Sequence, residues 1–215
     1  DIDSILAEIK KEIENGASYD FVISRGEFMS AKVLACFLGY DFVDAKDLIV
    51  FSDGSLDLAK SQENIRNILS KHERAVIPGF YGACEEGKIK TFSRGGSDIT
   101  GSVIASAVDA EMYENFTDVS GFLVADPKIV KNPAPMGTIT YNELRELSYM
   151  GAKVLHEEAI FPLREKNIPI NIKNTNAPNE EGTLILSKCD SKNKNILTGI
   201  SGKKGFTVIN IEKIN

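Results

Sequence analysis

The chain has 215 residues, 42% of them hydrophobic and 26% charged, and a net charge of −6. That length and balance suit a soluble body with a substantial core, one large domain or one and a part. The acidic surplus excludes a nucleic-acid or anionic-membrane partner, which needs excess positive charge. Three scattered cysteines, Cys36, Cys84 and Cys189, exclude a disulfide framework or a paired-cysteine metal site.

Reduced thiols in a cytoplasmic protein are therefore expected. There is no apolar run long enough to span a membrane and no signal-peptide pattern. The sequence opens at Asp1 inside a helical pattern, so a fragment is expected. Ile2, Ile5, Leu6, Ile9 and Ile13 share one face of that pattern up to Asn15, and Gly16 supplies a stop.

Tyr19 to Ser24 reads as a short apolar strand. Ser24-Arg25-Gly26-Glu27 follows as a glycine turn, and Phe28 to Gly39 as a helix. In an open α/β sheet such a strand-to-helix corner lies at the carboxyl edge, where ligands bind. Glu27 in a first helical turn is adequately explained by the helix dipole; the functional reading gives it to a ligand ammonium group.

Phe42–Ala45 and Ile49–Phe51 read as short strands, with a turn at Asp53-Gly54 before a helix over Ser61–Lys71. His72 falls in the last turn and suits the helix C-terminus better than a metal. Ala75–Gly82 reads as a buried strand with a glycine-rich exit, and Glu85–Lys88 as a hairpin turn.

The central stretch is Phe92-Ser93-Arg94-Gly95-Gly96-Ser97-Asp98-Ile99-Thr100-Gly101. The apolar residues Ile99, Val103, Ile104, Ala107 and Val108 recur at helical spacing, so a loop feeds a helix. Gly95 and Gly96 allow close backbone approach, Ser97 is the expected N-cap, and the helix dipole favours phosphate or carboxylate. Arg94 offers a planar fork to a carboxylate. Asp98 beside it requires a cation, a metal or a lysine, between itself and any anion. The same residues also make an ordinary turn before a helix, and on local pattern the two readings stand level.

Thr117-Asp118 at a strand end suits a base, ribose or metal, or simply a turn. Asn132–Gly137 reads as a proline-bearing loop and Tyr141–Leu147 as a helix. Gly151–His156 begins another helix, with Ala159–Leu163 buried behind it. Lys153, just past a glycine, can reach phosphates. Ile168–Asn174 and Gly182–Leu186 are strands, Ser187–Asn195 has linker composition, and Ile196–Gly199 and Phe206–Ile211 are strand-like.

Six separated motifs then carry a resemblance: Ser24-Arg25-Gly26-Glu27, Pro78-Gly79-Phe80, Arg94-Gly95-Gly96-Ser97-Asp98, Thr117-Asp118-Val119, Ala125-Asp126-Pro127 and Gly151-Ala152-Lys153-Val154-Leu155-His156. In order and spacing, from Tyr19 to Leu186, the chain resembles the aspartate kinases of the amino acid kinase family. The tail from Ile196 resembles the opening strand of an ACT domain.

The resemblance implies an α/β fold, a three-layer αβα sandwich with a mainly parallel central sheet. It implies a partial catalytic domain over residues 1–186, a linker over 187–195 and a truncated ACT domain over 196–215. It implies ATP and Mg²⁺ as cofactors and L-aspartate as the substrate, phosphorylated on its side-chain carboxylate. Arg94 would grip a substrate carboxylate, Glu27 would lie near the amino group, and Phe80 and Ser97 would line the pocket. Asp98 would orient a phosphate-binding lysine, and Thr117, Asp118, Lys128 and Lys153 would face the nucleotide. No protein metal ligand is implied.

A homodimer or homotetramer and an allosteric amino acid, lysine or threonine, belong to the same expectation. The sequence departs from the family at Leu123, where many members have tyrosine, and at Lys128, where many have arginine. It also lacks the amino-terminal Lys-Phe-Gly-Gly segment with its catalytic lysine, so the polypeptide as given is expected to be inactive and its parent active. The rivals are a glutamate, acetylglutamate or nucleotide kinase of the same fold, and a non-catalytic amino-acid-binding regulatory subunit. Glu27 discriminates among the kinases, because a free ammonium group needs a counter-charge and an acylated nitrogen does not.

Overall fold

The computed structural model describes residues 2–149, 155, 157–189, 197–202, 205 and 207. The chain divides into two compact units, the first formed by Asp1–Tyr113 with Leu155–Pro169 and the second by Glu114–Val154 with Ile170–Asn215. Among the described residues no helix is long and apolar enough to cross a membrane.

The first unit opens with α1 (Ile2–Glu14), which buries none of its residues, and α2 (Tyr19–Leu38). Helix α2 corrects the strand, turn and helix expected over residues 19–39. Ser18 starts it, its Oγ accepting from Phe21 N at 3.2 Å, and Gly39 ends it at φ 67°. Ser24 lies inside this helix, its hydroxyl donating back to Phe21 O at 2.7 Å. Gly26 keeps an ordinary negative φ. One glycine costs a helix interior about 1 kcal/mol, which the caps and aromatic packing of a twenty-residue helix outweigh.

Beyond it come β1 (Asp41–Phe42), α3 (Ala45–Leu48), β2 (Val50–Ser52), β3 (Ser55–Leu56) and α4 (Leu58–Leu69). Asp53 and Gly54, at φ 51° and 78°, make the tight hairpin between β2 and β3. The third strand was not expected, because a two-residue strand leaves no periodic signal. His72 takes Asp41 as its partner, Nδ1 to Oδ2 at 2.8 Å, while its backbone N–H closes the turn onto Leu69 O.

The single strand expected over residues 75–82 is two strands in different sheets, β4 (Ala75–Val76) and β5 (Tyr81–Cys84), parted by Pro78-Gly79-Phe80. Proline donates no ladder hydrogen bond, and Phe80 turns left-handed at φ 58°. β5 forms a hairpin with β6 (Ile89–Thr91) and leads to α5 (Gly96–Ala107).

β4 lies parallel to β1, and a four-stranded sheet runs β3-β2-β5-β6 with β2 parallel to β5, Val50 opposite Ala83. Its core gathers Leu48, Ile49, Phe51, Ile65, Ile99 and Val103. Helix α7 (Glu157–Glu165) packs on α5, with Ala159 and Leu163 buried but Phe161 54% exposed, against the expectation that the whole 159–163 run is covered.

The second unit holds β7 (Tyr113–Thr117, whose first residue belongs to the first unit), β8 (Thr138–Thr140), α6 (Tyr141–Tyr149), β9 (Ile170–Asn174) and β10 (Thr183–Leu186), in sheet order β7-β9-β10-β8. β10 is parallel to β8 and antiparallel to β9. α6 starts on a capping box: Thr140 N and Oγ1 donate to Glu143 Oε2 at 2.7 and 2.8 Å, and Glu143 N donates to Thr140 Oγ1 at 3.2 Å. Lys153 and His156 lie outside the described residues, as do most of the linker and tail expected beyond Leu186.

Candidate functional site

In the first unit the loop before α5 and the Pro78-Gly79-Phe80 turn close on one another. Phe92 N donates to Phe80 O at 3.0 Å. A Cβ at Gly96 would meet Phe80 Cα at 2.8 Å and Phe92 Cβ at 2.7 Å, and one at Gly79 would meet Ser97 Oγ at 2.9 Å. Both glycines are therefore contact residues, Gly96 against the Phe80 backbone and Gly79 against Ser97, needed for close approach rather than for a positive φ. Phe80, Gly79, Gly96 and Ser97 form one surface.

The cap of α5 is Gly95 at φ 61°, not Ser97, which falls one turn position inside the helix. The left-handed cap needs the residue without a Cβ, and the expected serine capping bond is replaced by a cap position with no side chain at all. Arg94 and Ser97 are exposed and Asp98 is half-buried. The anion-favouring turn is thus open, with a guanidinium on its approach.

Glu27 sits in the interior of α2, exposed, so the dipole of a helix N-terminus does not explain it. Among the described residues no ion pair engages Glu27 or Arg94. Next to Glu27, Arg25 stacks over Phe21 and Phe28 at 4.5 Å and over Tyr81 at 5.4 Å. Its guanidinium also donates to Ser24 Oγ at 3.0 Å. Tyr81, completely buried, donates to Asp44 Oδ1 at 2.7 Å. Burial and the Asp44 charge push its phenol well above the usual tyrosine range. This cluster fixes β5 behind Phe80, and nothing in the motif spacing announced it; an arginine four residues after one phenylalanine and three before another was the available signal.

A cavity of about 740 Å³ also lies in the first unit, bounded by Phe51, Leu56, Leu58, Phe92, Ile99 and Phe161. Glu27, Phe80, Arg94 and Ser97 are not among its lining residues. Asp20, Lys90, Thr91 and Ser93 also line it, so its wall is mixed rather than wholly apolar.

In the second unit Thr117 and Asp118 end β7, Thr117 Oγ1 donating to Asp118 Oδ1 at 3.2 Å. Lys173 lies beside them on β9, 5.6 Å over the Phe116 ring and 3.7 Å from Glu114. Asn174 Nδ2 donates to Ser120 Oγ at 2.9 Å. Sequence spacing did not single out Lys173 or Asn174, because β9 reads there as plain strand. Asp126 turns the chain at Pro127, its Oδ1 accepting from Lys128 N at 2.8 Å, and Lys128 is exposed.

Phe122–Val124 pairs with Ala134–Met136: Val124 N donates to Ala134 O at 2.9 Å and Met136 N to Phe122 O at 2.7 Å. The 132–137 stretch, expected as a surface loop, is thus half a ladder with Met136 buried. Thr183, also buried, ties both strands of it to β10: its Oγ1 accepts from Phe122 N at 2.8 Å and donates to Met136 O at 2.6 Å.

Among the described residues there is no group of three or more His, Cys, Asp or Glu side chains able to hold a metal. Asp98 and Asp118 are single carboxylates of the kind that assist a magnesium ion whose other ligands are phosphate oxygens and water. The first unit thus offers a mixed-charge surface with a left-handed glycine cap, and the second a strand end with hydroxyl, carboxylate and lysine groups.

The model for the amino acid kinase family matches residues 2–174. Aspartokinase 3 of Bacillus subtilis (strain 168) is 38% identical over 221 residues, covering 98% of this chain and 48% of its own length. The crystal structure of Clostridium acetobutylicum aspartate kinase aligns with TM-score 0.87 and 55% identity over 94% of this chain and 47% of that one. E. coli aspartokinase III in complex with aspartate and ADP aligns with TM-score 0.76 and 27% identity over 88% of this chain and 46% of that one. The chain spans about half the length of the relatives it matches.

Proposed function

From the premise that the chain belongs to the amino acid kinase family, and so has its α/β fold, we propose that it is part of an aspartate kinase. The proposed reaction transfers the γ-phosphoryl group of ATP to the side-chain carboxylate of L-aspartate, giving 4-phospho-L-aspartate, the first step toward lysine, threonine and methionine. The observation that carries this is the 55% identity to an aspartate kinase across 94% of the chain.

In this reading Arg94 holds a substrate carboxylate in two parallel hydrogen bonds, Glu27 faces the ammonium group, and Phe80 and Ser97 bound the pocket. Two facts support it: the packing of Phe80 onto Gly96 and of Gly79 onto Ser97, and, among the described residues, the lack of an ion pair at Glu27 and Arg94. Asp98 orients a phosphate-binding lysine, and Thr117, Asp118, Lys128 and Lys153 face the nucleotide. ATP with Mg²⁺ supplies the transferable phosphoryl group and neutralises part of its charge.

The chain's own residues supply position and electrostatics, not a general base. The aspartate side chain has a pKa of about 3.9 and is already ionised at neutral pH. The remaining difficulty is bringing two anions together in line, which arginine, lysine and helix amides offset. We also propose an ACT domain opening at residues 196–215 after the 187–195 linker, with lysine or threonine as its ligand and a homodimer or homotetramer as the assembly.

The test is ATP-dependent hydroxamate formation by the natural gene product that contains these residues, with aspartate, glutamate, N-acetylglutamate and UMP offered separately. Turnover is expected with aspartate, falling at least about 100-fold in Arg94→Ala, the scale of losing a charged contact realised in the transition state. Preferred turnover of another acceptor would replace the substrate assignment.

A further inference from the structure

Residues 197–200 lie beyond the segment that the family model matches, yet they are bonded back onto Val124 and Glu143 of the second unit. Ile200 N donates to Val124 O at 2.7 Å. Thr198 Oγ1 donates to Glu143 Oε1, on the carboxylate whose other oxygen completes the capping box of α6. Gly199 lies between them, and a Cβ there would meet the end of the Met136 side chain and make it shift, with Leu147 at ordinary contact distance.

The attachment has an unusual composition. The side chains of Leu197 and Ile200 are about two-thirds exposed, at 64% and 65%. Little burial of these two apolar side chains holds the segment; the hydrogen bonds of Thr198 and Ile200 and the contact of Gly199 with the Met136 side chain contribute instead. Val124 gives its N–H to Ala134 and takes the Ile200 N–H on its carbonyl, so both of its backbone groups are engaged. Thr183 pins the start of the Phe122–Val124 segment and Ile200 its end.

We propose that Thr198, Gly199 and Ile200 form a clasp that positions the loop between Asp118 and Lys128 for nucleotide. This rests on the reading that these two residues face ATP, and it adds a part of the site that lies outside the family-matched residues. With the clasp closed, Val124, between the two proposed nucleotide contacts, is bonded through both its N–H and its carbonyl. With it open, the Val124 carbonyl turns to water and the Phe122–Val124 segment keeps its bonds to Ala134, Met136 and Thr183. Because the contact buries so little, its opening moves the loop without unfolding the sheet.

The test uses the gene product containing these residues and three variants: Thr198→Val, which keeps shape and removes the hydroxyl, Thr198→Ser, which restores it, and Gly199→Val. Hydrogen–deuterium exchange is read at Val124, Met136 and Ile200, and KM is measured separately for ATP and aspartate. Thr198→Val and Gly199→Val are expected to speed exchange at all three amides and raise the ATP KM at least about fivefold. The aspartate KM and the melting temperature stay near wild type, and Thr198→Ser behaves as wild type. Unchanged exchange at Val124 and Met136, or an unchanged ATP KM in Thr198→Val, overturns the clasp and leaves the kinase reading standing. A parallel rise in both KM values with a lowered melting temperature also overturns it, as general destabilisation. A wild-type protein that uses no ATP overturns the kinase reading itself, and the clasp as a nucleotide device with it.

Discussion

The phenol of Tyr81 and the carboxylate of Asp44 are joined by a 2.7 Å hydrogen bond, and that bond stands directly behind Phe80, whose backbone is held at φ 58°. A left-handed phenylalanine costs about 1–2 kcal/mol, so its neighbours must hold it there. Tyr81, clamped below by Asp44 and faced by the Arg25 guanidinium, is the immediate neighbour that does so.

Tyr81→Phe is therefore expected to lower stability by about 1 kcal/mol, the net worth of one hydrogen bond, measured by urea unfolding. Its pH dependence has a definite sign. The folded phenol is held above the usual range by burial and then by the Asp44 charge, so its contribution is full below about pH 10 and is lost as pH rises above that. Unfolding on the alkaline side is expected to begin near pH 10 and to weaken more slowly with pH in Tyr81→Phe; identical alkaline limbs would count against it.

Gly96→Ala is expected to cost about 1–3 kcal/mol, the range for forcing extra volume into a packed contact. Its Cβ would press on the Phe80 backbone, which cannot rotate away. Gly79→Ala meets the Ser97 hydroxyl first, which can turn aside, so its cost is smaller. Urea midpoints of the two variants should fall in that order.

Thr183→Val leaves Phe122 N–H and Met136 C=O without their shared partner in a buried place, at a cost of about 1–3 kcal/mol. Chemical denaturation supplies the number. Thr183→Ser, which keeps the hydroxyl, should recover most of the loss.

Lys60 gathers two carboxylates at the surface, Asp57 at 3.3 Å and Glu85 closer still, with Ser52 beside them. The Glu85 carboxyl is held below its usual range first by the Lys60 hydrogen bond, and that of Asp57 first by the Lys60 backbone N–H. Both therefore contribute above about pH 4.3 and lose that contribution as pH falls. Lys60→Met should flatten the acid limb of the stability curve, and 1 M salt should do much the same, since the network is exposed. A variant with an unaltered acid limb would show that the pairing contributes nothing.

How much of this was legible beforehand depended on signal length. The Ile2–Glu14 helix, the helix after Gly95-Gly96, the Glu85–Lys88 hairpin and the last two strands each spread a period over enough residues to read. The Tyr19–Leu38 helix was not legible, because Ser24 and Gly26 look like punctuation in a sequence while in the fold one bonds back within its own turn and the other sits at an ordinary φ. β3 is two residues long and escapes any periodicity. The cap of α5 was displaced by two positions, since serine is the better cap by composition but the chain needed a left-handed turn, which glycine gives. The glycines before α5 were read as letting a ligand approach; that Gly96 instead packs on the Phe80 backbone, and that Gly95 is a left-handed cap, is tertiary information.

The opening of α5 has one more implication. With glycine where a serine or aspartate would normally sit, the helix begins with part of its own termination left to whatever arrives from solution. In the proposed reading an anion bound there is linked to folding, adding about 2.7 kcal/mol of stability at a ligand concentration one hundred times its dissociation constant.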